Sequence, residues 1–304
     1  YRTDPMVHIF PYWDFNPGQI IDVRVCSNAP KIELFLNNVS QGTFTIDHAH
    51  GHDLIGHWKL AYVPGELCAV AYDENGEAIA EDKQESFGDP ARISMKPDKT
   101  IVKANGRDLI FVEIRVKDQE GRYVENARNR VKVEVTGAGR LVGLDNGDST
   151  DFDSYKGISR RLFSGRLLAV IASNTEPGRI SIRVSGTGLK SCEQRYDSIR
   201  SSHTKGVAAS FTCTEQTMYA GGIGGGPVSI NEVPVRKIEL TAPQGAVFTS
   251  DAKELPVEVR LFPGGVNTEL IWKVTNERGI ESDLASIRET PHGAVVTAKG
   301  DGKF

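Results

Sequence analysis

Ile21-Asp22-Val23-Arg24-Val25 places three apolar side chains on one side of an extended backbone and an acid and a base on the other. Lys31-Ile32-Glu33-Leu34-Phe35-Leu36, Arg130-Val131-Lys132-Val133-Glu134-Val135 and Arg179-Ile180-Ser181-Ile182-Arg183-Val184 repeat the device. Strands with one buried and one wetted face belong to antiparallel sandwiches rather than to parallel sheets. No stretch sustains a helical period over three turns. Turn signals follow at short intervals, among them Asn37-Asn38, Pro64-Gly65, Glu74-Asn75-Gly76, Glu120-Gly121, Pro177-Gly178 and Pro263-Gly264-Gly265. The pattern predicts an all-β chain of tandem immunoglobulin-like or fibronectin-like β-sandwiches.

Working outward, residues 1–88 read as a first sandwich, with strands at 7–10, 20–26, 31–36, 42–46, 58–62, 68–72 and 78–84. Gly88-Asp89-Pro90 is the expected hinge. Residues 89–189 read as a second sandwich, with strands near 92–97, 109–117, 130–136, 139–143, 166–172 and 178–185. The excursion from Asn146 to Arg161 is expected to lie outside the core because it is rich in Asp, Ser and Gly. Residues 190–233 read as a linker or long loop, ending in the glycines of 221–226, although Val207-Ala208-Ala209-Ser210-Phe211-Thr212-Cys213 is apolar enough to add a strand to a neighbour. Residues 234–304 restart the sandwich pattern in the manner of a bacterial immunoglobulin-like repeat, with strands at 235–240, 255–262, 270–274 and 294–298. Its last strand is expected beyond Phe304.

Composition narrows the function. Of 304 residues, 39% are hydrophobic and 25% charged, which suits globular cores. The net charge of -4 and the scattered Lys and Arg argue against nucleic acid as a partner. No apolar run approaches the roughly 18 residues of a membrane span. Cys26, Cys68, Cys192 and Cys213 are too scattered for a disulfide framework or a zinc site. Tyr1 opens without an initiator Met or signal peptide, so the chain reads as a segment of a longer protein.

The opening run Met6-Val7-His8-Ile9-Phe10-Pro11-Tyr12-Trp13, with Glu33-Leu34-Phe35-Leu36-Asn37 and Trp58-Lys59-Leu60-Ala61-Tyr62-Val63-Pro64-Gly65, resembles the stretch by which a family 2 glycoside hydrolase of the β-galactosidase type leaves its catalytic barrel. Ala104-Asn105-Gly106-Arg107-Asp108-Leu109, Gly143-Leu144-Asp145-Asn146-Gly147-Asp148 and Phe163-Ser164-Gly165-Arg166-Leu167-Leu168 resemble the next sandwich of that family. The resemblance implies a retaining glycosidase whose two catalytic glutamates lie on a barrel upstream of Tyr1. It therefore implies no catalytic residue and no cofactor in this chain, and it makes the barrel of the same polypeptide the expected partner. For the whole protein it leans towards a secreted or cell-surface location. Two other readings remain open, a carbohydrate-binding module and an immunoglobulin-like stalk of a surface protein.

Several constellations bear on these alternatives. Tyr12 and Trp13, with Phe15, offer either a sugar-stacking platform or an exposed face that packs on the barrel. Trp58 and Trp272 lie in strand patterns and read as core residues. Asp145, Asp148, Asp151 and Asp153 crowd one loop, where hard oxygen ligands could hold Ca²⁺, but the spacing is not that of an EF-hand. The better reading is a turn whose side chains bond their own backbone. His48-Ala49-His50-Gly51-His52, with His57, has imidazoles at spacing two, yet Gly51 and Asp53 make it a hairpin loop. Gly221 to Gly226 lacks the Lys-Ser/Thr of a phosphate loop.

Overall fold

The computed structural model describes residues 4–51, 54–201, 213, 231–249, 252–266, 270–276 and 278–304. Every regular element among them is a strand, and none is a helix.

The first unit contains β1 (Val7–Phe10), β2 (Ile20–Ser27), β3 (Lys31–Leu36), β4 (Val39–Thr45), β5 (Ile55–Ala61), β6 (Glu66–Tyr72) and β7 (Ala78–Glu85). They form two sheets, ordered β1-β2-β5 and β4-β3-β6-β7. Alternation in β2 and β3 sends Val23, Val25, Ile32 and Leu34 into the space between the sheets, where Leu67 and Ala69 of β6 meet them. Leu36 pairs with Val39 across a two-residue loop in which Asn37 and Asn38 both take positive φ, 50° and 64°. That is the mirror-image turn whose twist matches paired strands, and asparagine tolerates it best after glycine. Trp58 packs half-buried against Phe44 and donates from Nε1 to the Gln41 carbonyl at 3.1 Å. Gly56, two residues earlier on the same face, makes room for it. A Cβ there would stand 2.6 Å from the indole.

The second unit holds β8 (Arg92–Pro97), β9 (Ile101–Lys103), β10 (Leu109–Lys117), β11 (Arg130–Gly137), β12 (Gly139–Asp145), β13 (Ser159–Arg161), β14 (Arg166–Ser173), β15 (Gly178–Gly186) and β16 (Leu189–Ile199). One half runs β12-β14-β10-β8. A single parallel pair, Lys190 beside Arg92, joins it to β16-β15-β11-β13, with β9 alongside β16. Ile110, Val112, Ile114 and Val116 of β10 share one core with Val131, Val133, Ile180, Ile182 and Val184 from the other half. Two expectations change here. Residues 190–199, expected to open the linker, instead continue β16 to Ile199 and pair along the length of β15. Cys213, from the same stretch, is buried in this unit's core.

The third unit contributes β17 (Lys237–Thr241), β18 (Glu254–Phe262), β19 (Ala285–Thr290) and β20 (Gly293–Ala298) as one sheet, ordered β17-β18-β20-β19. The strand expected at 270–274 does not form. Just after it, Thr275 forms an isolated bridge with Glu281. β19, which the alternation did not flag, takes the edge place beside β20.

Candidate functional site

The aromatic cluster that follows β1 is not a surface feature. Trp13 is 0% exposed, its Nε1 donates to the Val63 carbonyl at 3.1 Å, and its ring meets Tyr62 edge-on at 5.2 Å. An indole enclosed in the first unit's core has no face left for a pyranose or a barrel, which overturns the expectation of an exposed Trp13. Tyr12 points the other way. It stacks on Phe15 at 5.2 Å, meets Phe87 at 5.8 Å and packs against the second unit's core. The opening segment thus splits its aromatics between two cores and joins them.

Beside it lies a charged junction that the sequence reading did not identify. Asp14 receives Arg236 Nη1 at 2.6 Å, while Arg236 Nε reaches Asp89 at 2.7 Å. The Arg236 and Asp14 side chains are 5% and 4% exposed. Lys237 stands 3.8 Å from the second Asp14 oxygen, and Asn16 Nδ2 donates to the Ile238 carbonyl at 3.0 Å. The guanidinium also lies over the rings of Phe87 and Phe262. One arginine before β17 therefore binds residues of the first unit and of the hinge together. Tyr62 supports the junction by donating to Asp14 at 3.4 Å and sharing a hydrogen bond with Ser86 at 2.8 Å. Burial pushes its phenol pKa up, the Ser86 bond opposes this, and the Asp14 charge adds to the rise. The signal in the sequence was an Arg-Lys pair opening a strand, which is too common to single out.

The acids of the loop between β12 and β13 bond arginines and their own loop. Asp151 accepts Arg160 Nε at 2.9 Å and Asn146 Nδ2 at 2.6 Å. Asp153 pairs with Arg130 at 2.7 Å, and Arg160 Nη1 also donates to the Leu144 carbonyl at 3.1 Å. Asp145 accepts from the Gly147 N–H, and Asp148 from the N–H and hydroxyl of Thr150. Burial works against the Asp148 carboxylate, but the Thr150 bonds and the charges of Arg128 and Arg160 outweigh it and lower its pKa. The four acids point to different partners, and a cation would have to displace guanidinium groups. Among the described residues, no group of three or more His, Cys, Asp or Glu is arranged to hold a metal ion. The expectation that residues 146–161 lie outside the core is also overturned, since Asp153, Ser159, Arg160 and Arg161 are buried. Gly143 admits the loop, because a Cβ there would stand 2.9 Å from the Tyr155 carbonyl.

The histidines scatter. His50 pairs with Asp47 at 2.8 Å, His48 Nε2 lies 3.3 Å from the Ala29 carbonyl, and His57 is exposed on β5. His52 lies outside the described residues, as do Gly221 to Gly226. Retaining glycosidases need two carboxyl groups about 5–5.5 Å apart across a sugar site. Among the described residues, the buried acids Asp14, Asp118, Asp151 and Asp153 are committed otherwise. Asp14, Asp151 and Asp153 hold arginines, and Asp118 accepts the N–H groups of Gly88 and Arg122 at 2.9 and 2.8 Å.

Comparison with known proteins bears on the same point. Residues 93–195 match the family model for glycoside hydrolase family 2 C-terminal domain 5, and residues 18–80 match a domain of unknown function. Over 190 residues the chain is 36% identical to a β-galactosidase of Bacteroides ovatus, covering 62% of this chain and 22% of that one. It is 26% identical over 182 residues to a putative β-glucuronidase of Formosa agariphila, covering 59% and 17%. Among solved structures, a β-glycosidase from Bacteroides vulgatus superposes with a TM-score of 0.60 at 31% identity, covering 64% of this chain and 25% of that one. A family 2 β-glucuronidase at 18% identity shares the fold over 84% of this chain and 28% of its own, with a TM-score of 0.58. The chain spans 22% of the length of its B. ovatus relative.

Proposed function

We propose that this chain is the non-catalytic C-terminal accessory region of a family 2 glycoside hydrolase. The reading is supported by the match of residues 93–195 to that family's C-terminal domain 5 and by the 36% identity over 190 residues to a β-galactosidase. In this reading the catalytic barrel belongs to the same polypeptide. The parent enzyme hydrolyses terminal β-galactosides or related β-glycosides with retention of configuration. Residues 1–88 and the sandwich that follows pack on the barrel and shield it. The observation that carries the reading is chemical. Each buried carboxylate described above is tied to a guanidinium or to backbone N–H groups, and none is left as a proton donor or nucleophile.

The mechanism then belongs to two glutamates outside these residues. One would protonate the leaving oxygen while the other attacks the anomeric carbon from the opposite face. The first, now a base, would deprotonate a water that attacks from the face the leaving group left and frees the second carboxylate. The test is to follow the whole protein acting on a nitrophenyl β-galactoside by proton NMR. The first anomer released should be β. Release of the α anomer would mean inversion and would refute the proposed mechanism.

A further inference from the structure

The third unit's sheet has one apolar and one charged side. Alternation along β17 and β18 sends Ile238, Leu240, Val259 and Leu261 to the same side, where register pairs Ile238 with Leu261 and Leu240 with Val259. That side continues in one row through Leu255 of β18, Val296 of β20 and Ile287 of β19. Glu289, at one corner, is the single charge that a strand residue brings to it. The other side carries Lys237, Glu239, Glu258 and Arg260. It is this charged side that meets the first unit, since Lys237 stands 3.8 Å from Asp14 and lies over the Phe262 ring. The apolar side is turned away from the junction.

A sheet of this kind needs a second layer, because rows of Leu, Ile and Val leave water only by packing on another element. Among the described residues, the sheet has no second sheet against it. Leu240 is 60% and Ile238 42% exposed, and on the apolar side only Leu255, Ala285 and Ala294 are buried. The strands, of 5, 9, 6 and 6 residues, cover roughly 400 Å² in plan. An apolar patch of that extent marks a contact surface, unlike side chains exposed singly. At the corner diagonal to Leu240, Ala298 ends the apolar side and lines a hollow of about 550 Å³ with Val247, Phe248 and Phe304.

We propose that this apolar side is an interface on which the third unit of a second copy of the chain packs, sheet on sheet. A face with no charge at its centre is complementary to itself, so a two-fold contact brings no like charges together there. A two-fold axis crossing the middle of β18 sets the exposed Leu240 of each copy over the hollow of the other, a knob and a recess supplied by one sequence. Two faces of roughly 400 Å² in plan, with the rims they bring along, bury about 1,000 Å² of accessible surface, the size at which specific interfaces begin. An interface near that lower limit, with one anchor from each copy, is weak, and association in the micromolar range is expected. The proposal stands apart from the glycosidase reading, because it rests on the sheet alone.

Sedimentation equilibrium of the 304-residue chain provides the test. Between about 1 µM and 1 mM, the mean mass should climb from 33.2 kDa towards twice that value and level off there. Leu240→Lys should weaken association by about tenfold or more, because it carries an unpaired ammonium into the contact. Thr241→Lys puts the same charge one residue away on the opposite side of the sheet and should leave association unchanged. The methyl signals of the buried Leu255 report that the sheet is intact in both variants. A chain that stays monomeric throughout overturns the proposal, as does a dimer indifferent to Leu240→Lys or weakened equally by Thr241→Lys. Growth beyond the dimer without a plateau overturns it too. A Leu240→Cys thiol shielded from maleimide in a monomeric parent protein would assign the face to another segment of that polypeptide and overturn the dimer.

Discussion

Asp153 and Arg130 face each other with side chains 0% and 1% exposed, in a place where solvent cannot screen either charge. Such a pair gains little net stability over a packed apolar substitute, but removing one partner strands the other. Asp153→Ala should therefore destabilise the second unit by about 3–5 kcal/mol in urea unfolding, whereas Asp153→Leu with Arg130→Met should recover most of that loss. A loss below about 1 kcal/mol in the single variant would contradict the buried pairing. Asp118 gives the corresponding pH dependence. Burial raises its pKa, but the N–H groups of Gly88 and Arg122 and the Arg122 charge override it, so the folded value lies below the unfolded one. A depressed carboxyl contributes stability that is present above the unfolded pKa of about 3.9 and lost as pH falls through the lower folded value. Asp118→Asn should flatten that acid limb of the stability curve. An unchanged limb would show that the Gly88 contact does not hold the hinge.

At the scale of elements, β16 is the piece on which the second unit's integrity turns. It pairs along β15 and closes against β8 and β9. Residues 89–201 should fold alone and give dispersed amide spectra, and residues 91–189, which lack β16, should not. Dispersed spectra from the shorter piece would make β16 an ornament. The alternation found β1, β3, β8 and β10 to the residue because each buries one face of a two-sided strand. β9 and β13 have three residues each, too few for a period to register. β16 escaped because Lys190-Ser191-Cys192-Glu193-Gln194-Arg195 is polar almost throughout, with burial reached only at Tyr196 and Ser198. The acidic loop was visible as composition, but its meaning lay in Arg130 and Arg160, which the fold brings to Asp153 and Asp151. Trp272 failed in the opposite sense. Its apolar neighbours imitate a strand, but residues 270–274 form no ladder.

For the whole molecule, Arg236 decides whether the third unit is tethered or docked. Its two carboxylates, Asp14 and Asp89, come from the first unit and from the hinge. Arg236→Ala should leave Asp14 buried with Lys237 as its one nearby cation among the described residues and Tyr62 as a donor. The change should cost up to about 3–5 kcal/mol and let the third unit swing away. X-ray scattering should then give a larger radius of gyration for the variant, and an unchanged curve would mean that the junction holds without its arginine. The proposed non-catalytic role is tested most directly by turnover of nitrophenyl β-galactoside by the purified 304-residue chain. Nitrophenol should be released no faster than in buffer. Turnover above that level, abolished by replacing a carboxylate within these residues, would contradict it.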